Sequence, residues 1–212
     1  MTFPERLTQG YQAFMEGRFA SKQDRYRKLA ETGQKPEIMV IGCCDSRVSP
    51  EAIFDAGPGE LFVVRNVANL VPPYEPDGQF HATSAALEFA VQSLKVSDIV
   101  VMGHGRCGGI SAALDPDAEP LSPGDFIGQW MGMLKPVAAQ IQHAELLTAG
   151  ERQRVLERVS IRNSLANLRT FPCVRLLEER GRINLHGAWF DISTGELWIM
   201  DARTGDFLRP EK

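Results

Sequence analysis

Several things are scarce in this chain, and each scarcity removes a class of protein. No stretch of its 212 residues approaches the ~18 consecutive apolar residues of a membrane span. The opening segment, MTFPERLTQGYQAFMEG, carries charge early and has no apolar core of signal-peptide length. The expected compartment is therefore the cytoplasm, where thiols stay reduced. A charge excess is missing too: 23 Lys and Arg stand against 27 Asp and Glu, a net charge of −4. That leaves no electrostatic footprint for nucleic acid or an anionic membrane. The basic residues of SKQDRYRK alternate with polar ones and read as a solvated helix face. There is no internal repeat, low-complexity tract or linker, and the length suits one domain with an ample core. Only four cysteines occur, yet two of them, Cys43 and Cys44, are adjacent. A disulfide between neighbours would close a strained ring, and a reducing compartment disfavours it.

What is present alternates between two patterns. The segments 37–42 (EIMVIG), 60–65 (ELFVVR) and 98–103 (DIVVMG) are short, apolar and β-branched. RINLHGAWFDISTGELWIMD reads as two strands joined at Ser193-Thr194-Gly195. Runs without polar alternation predict strands covered on both faces, as in a parallel sheet. Between them lie helical patterns. Residues 83–95 place Leu87, Ala90, Val91 and Leu94 on one face. A longer helix runs from about Ala149 through Ile161, Leu165 and Leu168, and Pro172 opens another that Gly181 closes. The first third is rich in helix formers, with Gly10, Gly17 and Gly33 as expected breaks or caps. VPPYEPDGQ and LDPDAEPLSPGD read as loops. The alternation predicts a single α/β domain.

Functional groups in open parallel sheets gather just past the carboxyl ends of strands. Two such ends are chemically rich here: GCCDSR after the first strand, and GHGRCGG after the strand ending at Met102. Together they offer Cys43 or Cys44, His104 and Cys107. Two thiolates and an imidazole suit zinc, and three protein ligands leave a fourth position for water or substrate, the pattern of a catalytic site. The plain alternative is that these cysteines are small core residues. Gly103-x-Gly105-x-x-Gly108 also matches a dinucleotide-binding fingerprint. The following helix is cut short by Asp115-Pro116, however, and no strand ending in an acidic residue follows about 20 positions on. Asp45 and Arg47 lie beside the cysteine pair. The carboxylate could ligate a metal, or accept a hydrogen bond from a bound hydroxide while arginine holds it off the metal. An ordinary surface ion pair fits the spacing equally well.

These residues resemble the β-class carbonic anhydrases. The Cys-x-Asp-x-Arg motif of that family matches Cys43-Cys44-Asp45-Ser46-Arg47, and its His-x-x-Cys motif matches His104-Gly105-Arg106-Cys107. FVVRNVANLVPPY, LEFAVQSLKVSDIVVMGH and INLHGAWFDISTGELW are similar to further blocks, especially of the plant-type branch, so the likeness spans roughly residues 36–201. The resemblance implies zinc held by Cys43, His104 and Cys107, with Cys44 a bystander pointing away from Cys43. It implies reversible hydration of CO2 to bicarbonate and a proton, by attack of zinc-bound hydroxide. Asp45, held by Arg47, would orient that hydroxide.

Gln34, Phe62, Val67, Phe89 and Gly108 match substrate-pocket positions, with Phe89 standing where the branch has tyrosine. On the residues alone, Gln34 reads as a helix-end surface residue and Phe62, Val67 and Phe89 as core. Some relatives close the site through a second bicarbonate site of tryptophan, arginine and tyrosine. Val40 and Phe190 replace two of these and only Arg65 remains, so an open site without that switch is expected. The implied fold has four parallel strands and a fifth edge strand, with an N-terminal helical arm (1–35) ahead of a zinc-binding core (36–212). The implied minimal unit is a homodimer, with tetramers or larger assemblies allowed and pocket residues drawn from both subunits. Two rivals stand beside this reading. One is a carbonyl sulfide or carbon disulfide hydrolase on the same scaffold; the other is a zinc-binding protein without catalysis.

Overall fold

The computed structural model describes residues 3–77 and 81–210. A six-stranded mixed sheet forms its centre. The strands are β1 (Ile38–Cys43), β2 (Leu61–Asn66), β3 (Asp98–His104), β4 (Asn184–Phe190), β5 (Leu197–Met200) and β6 (Phe207–Leu208). Their order is β2-β1-β3-β4-β5-β6. The first four are parallel, and β5 and β6 add antiparallel. The sequence expectation of five strands is corrected by one: β6 is two residues long, too short to show a period-2 pattern. Arg209-Pro210 follows it, and proline blunts the free edge.

The helices are α1 (Glu5–Phe14), α2 (Ala20–Thr32), α3 (Pro50–Ile53), α4 (Ala82–Glu88), α5 (Gly108–Leu114), α6 (Phe126–Met131), α7 (Lys135–Gln142), α8 (Ala149–Leu168) and α9 (Pro172–Glu179). Helix α8 begins in a capping box, in which Thr148 and Glu151 satisfy each other's backbone N–H groups. Pro172 is the first residue of α9, and Gly181, at φ 62°, follows its end. Gly78 and Gln79, the end of one expected loop, lie outside the described residues.

The core sits between the sheet and α8. Met39, Ile41, Ile99, Val101, Ile161, Leu165 and Leu168 are buried together. α8 comes close because β3 and β4 present glycines to it: a Cβ at Gly103 would stand 2.8 Å from Ile161 Cδ1, and one at Gly187 3.0 Å from Ile161 Cγ2. The strand order reverses direction between β1 and β3, and the crevice at that reversal is where ligands bind in such sheets.

The N-terminal helices behave differently. Gly10 and Gly17 do not break them: α1 runs through a π-helical turn (Met15–Phe19) into α2, and only Gly33, at φ 80°, stops the helix. No residue of α1 or α2 is buried. The second helix is tied to the core where Arg25 donates to Pro58 O and pairs with Glu60, and where Leu29 lies against Gly59.

Candidate metal centre

Strands β1 and β3 end side by side, and their last residues carry Cys43 and His104. The turn after β3 brings Cys107 back to them. The three side chains are almost fully buried, at 4%, 1% and 2% exposure, and their ligand atoms lie within 4.8 Å of one another. The Sγ atoms of Cys43 and Cys107 are 3.9 Å apart. That is far beyond a disulfide, and near the ~3.8 Å that two sulfurs keep on a tetrahedral ion with metal–sulfur bonds of about 2.3 Å. His104 Nδ1 bonds Gly105 O at 2.9 Å, while its buried Nε2 has no hydrogen-bond partner. With Nδ1 carrying the proton, Nε2 offers a lone pair toward the sulfurs, the usual arrangement of a metal-binding histidine. The donor set fits a metal ion.

The thiol pair is biased toward charge. The Cys107 thiol lowers the Cys43 pKa most and burial opposes it, with the Ala68 N–H adding help from 3.3 Å. Cys107 is pushed up by the same contact and by burial. Cys44 is exposed, on the other side of the chain from buried Cys43. It lines a cavity of about 640 Å³ together with Val67, His81, Phe126 and Trp130.

Asp45 stands at the rim, with Oδ2 3.9 Å from His104 Nε2. Arg47 holds it in a fork: Nε donates to Oδ1 at 2.9 Å and Nη2 to Oδ2 at 2.7 Å, while the Arg47 N–H also donates to Oδ1. These bonds hold the carboxyl well below the usual carboxylate range, against the opposing effect of burial. Arg65 lies beneath the loop, its guanidinium donating to Cys43 O at 2.8 Å and Asp45 O at 2.6 Å. The sequence offered this arginine only as the remainder of an anion site; here it ties down the motif backbone.

Helix α8 holds the remaining loops. Ser164 accepts from Val71 N–H and donates to Asn69 O, and Asn167 donates to Val71 O. Glu157 accepts from Cys107 N–H and from Trp189 Nε1, and Gln153 donates to Cys107 O. Burial raises the Glu157 pKa, and those N–H groups oppose it. Three non-glycine residues next to the centre, Ala68, Asn69 and Arg106, have positive φ, a strained backbone that persists only where the surroundings enforce it. Three of the four glycines of GHGRCGG have packing reasons: Gly103 admits α8, Gly105 meets Trp189, and Gly109 meets Val67, whereas a Cβ at Gly108 would meet open space.

Not every expected pocket residue is here. Val67, which accepts from Trp130 Nε1 through its carbonyl, and Gly108, the exposed first residue of α5, adjoin the centre. Gln34 is exposed ahead of β1. Phe62 pairs with Met39, and Phe89 packs on it with ring centroids 5.9 Å apart. Along a strand rising about 3.3 Å per residue, Phe62 lies ~13 Å behind Asn66, the residue level with Cys43. Gln34, Phe62 and Phe89 are thus remote from the centre of their own chain. Outside the centre, His81 pairs with Asp77 at 2.7 Å and His186 with Asp98 at 2.8 Å. Cys173 is half-buried in the first turn of α9.

The carbonic anhydrase family profile matches residues 38–197. The chain belongs to the β-class carbonic anhydrases. It is 36% identical to a carbonic anhydrase of Pseudomonas aeruginosa over 202 residues, covering 95% of this chain and 90% of that protein. It is 37% identical to the chloroplastic beta carbonic anhydrase 5 of Arabidopsis thaliana, covering 92% of this chain and 64% of that longer protein. Among solved structures, the β-carbonic anhydrase CcaA superposes with a TM-score of 0.90 at 32% identity, covering 98% of this chain and 92% of that one. One of two tetrameric β-carbonic anhydrases of the fungus Sordaria macrospora superposes with a TM-score of 0.78 at 29% identity, covering 93% and 96%. Among the described residues no helix is long and apolar enough to cross a membrane.

Proposed function

We propose that this β-class carbonic anhydrase uses zinc held by Cys43, His104 and Cys107 to interconvert CO2 and bicarbonate, with Asp45 and Arg47 orienting the nucleophile. The observation that carries the reading is the buried S,S,N cradle with its unpartnered His104 Nε2, set 3.9 Å from a carboxylate locked by arginine. Two sulfurs and an imidazole nitrogen favour zinc over hard, oxygen-preferring cations. When bound, zinc supplies Lewis acidity that lets a water lose a proton near neutral pH.

The protein's own groups do the rest. Asp45 is an ionised acceptor at the mouth of the centre and takes a hydrogen bond from the attacking oxygen, fixing where that oxygen's lone pair points. Arg47 occupies both carboxylate oxygens, so Asp45 neither swings inward nor takes up a proton at working pH. Val67 gives CO2 an apolar wall, and the Gly108 N–H donates to a substrate oxygen. A reduced pair such as Cys43 and Cys107 needs a reducing compartment, which supports the cytoplasm.

The reading includes a second copy of the chain. Gln34, Phe62 and Phe89 are too far from their own centre to touch its substrate, so they serve the centre of a neighbour, and the unburied arm (residues 1–35) packs on that neighbour. A homodimer is then the smallest complete unit. The test is stopped-flow CO2 hydration by protein of known zinc content across the neutral range. Rapid hydration that scales with zinc and disappears in Cys43→Ser is expected. Fully zinc-loaded protein that hydrates nothing would overturn the proposal.

A further inference from the structure

Helix α8 grips the backbone of one residue of the centre on both sides of its Cα. Glu157 Oε1 accepts the Cys107 N–H at 3.2 Å. Gln153, one turn earlier, donates its Nε2 to the Cys107 carbonyl, also at 3.2 Å. The second Glu157 oxygen accepts from Trp189 Nε1 at 3.1 Å. Glu157 is only 3% exposed. A charge buried this deeply is costly unless it is fully hydrogen-bonded.

The chemistry of the neighbours accounts for the residue type. Cys107 N and Trp189 Nε1 are both donors, one to each Glu157 oxygen, and only a carboxylate is acceptor-only on both of its oxygens. A glutamine of the same shape would turn an NH2 toward one of them. The neighbouring backbone explains why a grip is needed. Arg106 is held at φ 57°, a left-handed conformation that is strained for a non-glycine residue. Released, the turn would relax toward ordinary angles and carry the Cys107 side chain with it.

We propose that Glu157 and Gln153 are positioning residues of the metal centre: they fix the Cys107 backbone on both sides of its Cα, and so the place of its Sγ among the ligand atoms. The inference rests on the reading of Cys43, His104 and Cys107 as ligands. Neither residue touches the ligand atoms. Each acts through the backbone of one ligand, and supports of this kind are worth about 10–100-fold in metal affinity.

The test compares full-length wild type, Glu157→Gln, Gln153→Leu and Cys107→Ser by two readouts that do not depend on turnover. One is the zinc dissociation constant from competition with a chromophoric chelator. The other is the absorption of the Co(II)-substituted protein, whose thiolate charge-transfer and d–d bands report the placement of sulfur. Glu157→Gln is expected to weaken zinc binding about tenfold or more and to shift the Co(II) bands. Gln153→Leu should move both in the same direction by less. If Glu157→Gln does not fold, Gln153→Leu decides, because that side chain is half-exposed and its loss leaves the core intact. Wild-type zinc affinity and wild-type Co(II) spectra in the variants, with only a lower melting temperature, would overturn the proposal and leave the pair an ordinary packing contact. Zinc binding that survives unchanged in Cys107→Ser is a different result: it would remove the ligand reading, and the inference with it.

Discussion

Arg47 and a lysine in its place would carry the same charge, but only arginine has a planar fork that can occupy both oxygens of Asp45 at once. Arg47→Lys should therefore leave zinc bound while turnover falls, because Asp45 regains freedom to rotate. Asp45→Ala should reduce turnover by about 10²-fold or more, again with full zinc content. Turnover and zinc measured on the same samples check both, and undiminished hydration in Asp45→Ala would remove its role.

A second carboxylate makes a prediction about pH. For Asp98, burial raises the pKa, but hydrogen bonds from Ser97, His186 and Asn184 outweigh it, and the net shift is downward. A depressed folded pKa stabilises the fold above the unfolded value of about 3.9, and this contribution is lost as pH falls through the folded value. Asp98→Asn should lower the urea midpoint at neutral pH and make little difference in acid, where the wild-type carboxyl is itself protonated. An equal difference at both pH values would show that the effect is not one of charge. At this scale much was legible in the sequence. Cys43, Asp45, Arg47, His104 and Cys107 were singled out because their spacing carries chemistry within a few residues. Arg65 and Glu157 were not, because their partners are backbone groups 20–50 positions away, which no local pattern records.

Among the elements, α8 decides the most. Its apolar repeat at Ile161, Leu165 and Leu168 could be read from the sequence, and its start at Ala149 was placed within a residue. Its second face could not. Gln153, Glu157, Ser164 and Asn167 look like a solvated stripe, yet all four bond the backbone of the loops at 69–71 and 107. Burial turned a nominally polar face into the support of the site. The six-residue strands β1 and β2 were also legible, since continuous apolar runs mark strands covered on both faces. The strand order was not, because it depends on which crossovers pack together.

The contact between α8 and the sheet can be tested at Gly103. An added methyl would stand 2.8 Å from Ile161 Cδ1, so Gly103→Ala should cost about 1–3 kcal/mol by overpacking. Trimming the opposing side chain with Ile161→Val should recover part of that loss. A double-mutant cycle in urea measures the coupling. Strict additivity would mean that the two residues do not meet.

At the scale of the whole molecule, the proposed dimer would make the chain half of a device. No residue of its helices α1 and α2 is buried, Leu7 and Tyr11 are 55% and 61% exposed, and three expected pocket residues lie remote from their own centre. If they serve a partner, the defects of two inactive proteins should complement. Asp45→Asn inactivates the centre of its own subunit, whereas Phe62→Ala combined with Gln34→Ala damages only the centre of the neighbour. In a mixed dimer one centre collects both defects and the other collects none. Equal mixing under conditions that exchange subunits makes half of the dimers mixed, each with one intact centre of two, so about a quarter of wild-type turnover should return. Light scattering on the mixture confirms that dimers persist. If Gln34 and Phe62 acted on their own centre, every subunit in the mixture would carry a defect at the site it serves. Exchange would then restore nothing, and the dimer would be an assembly of independent sites.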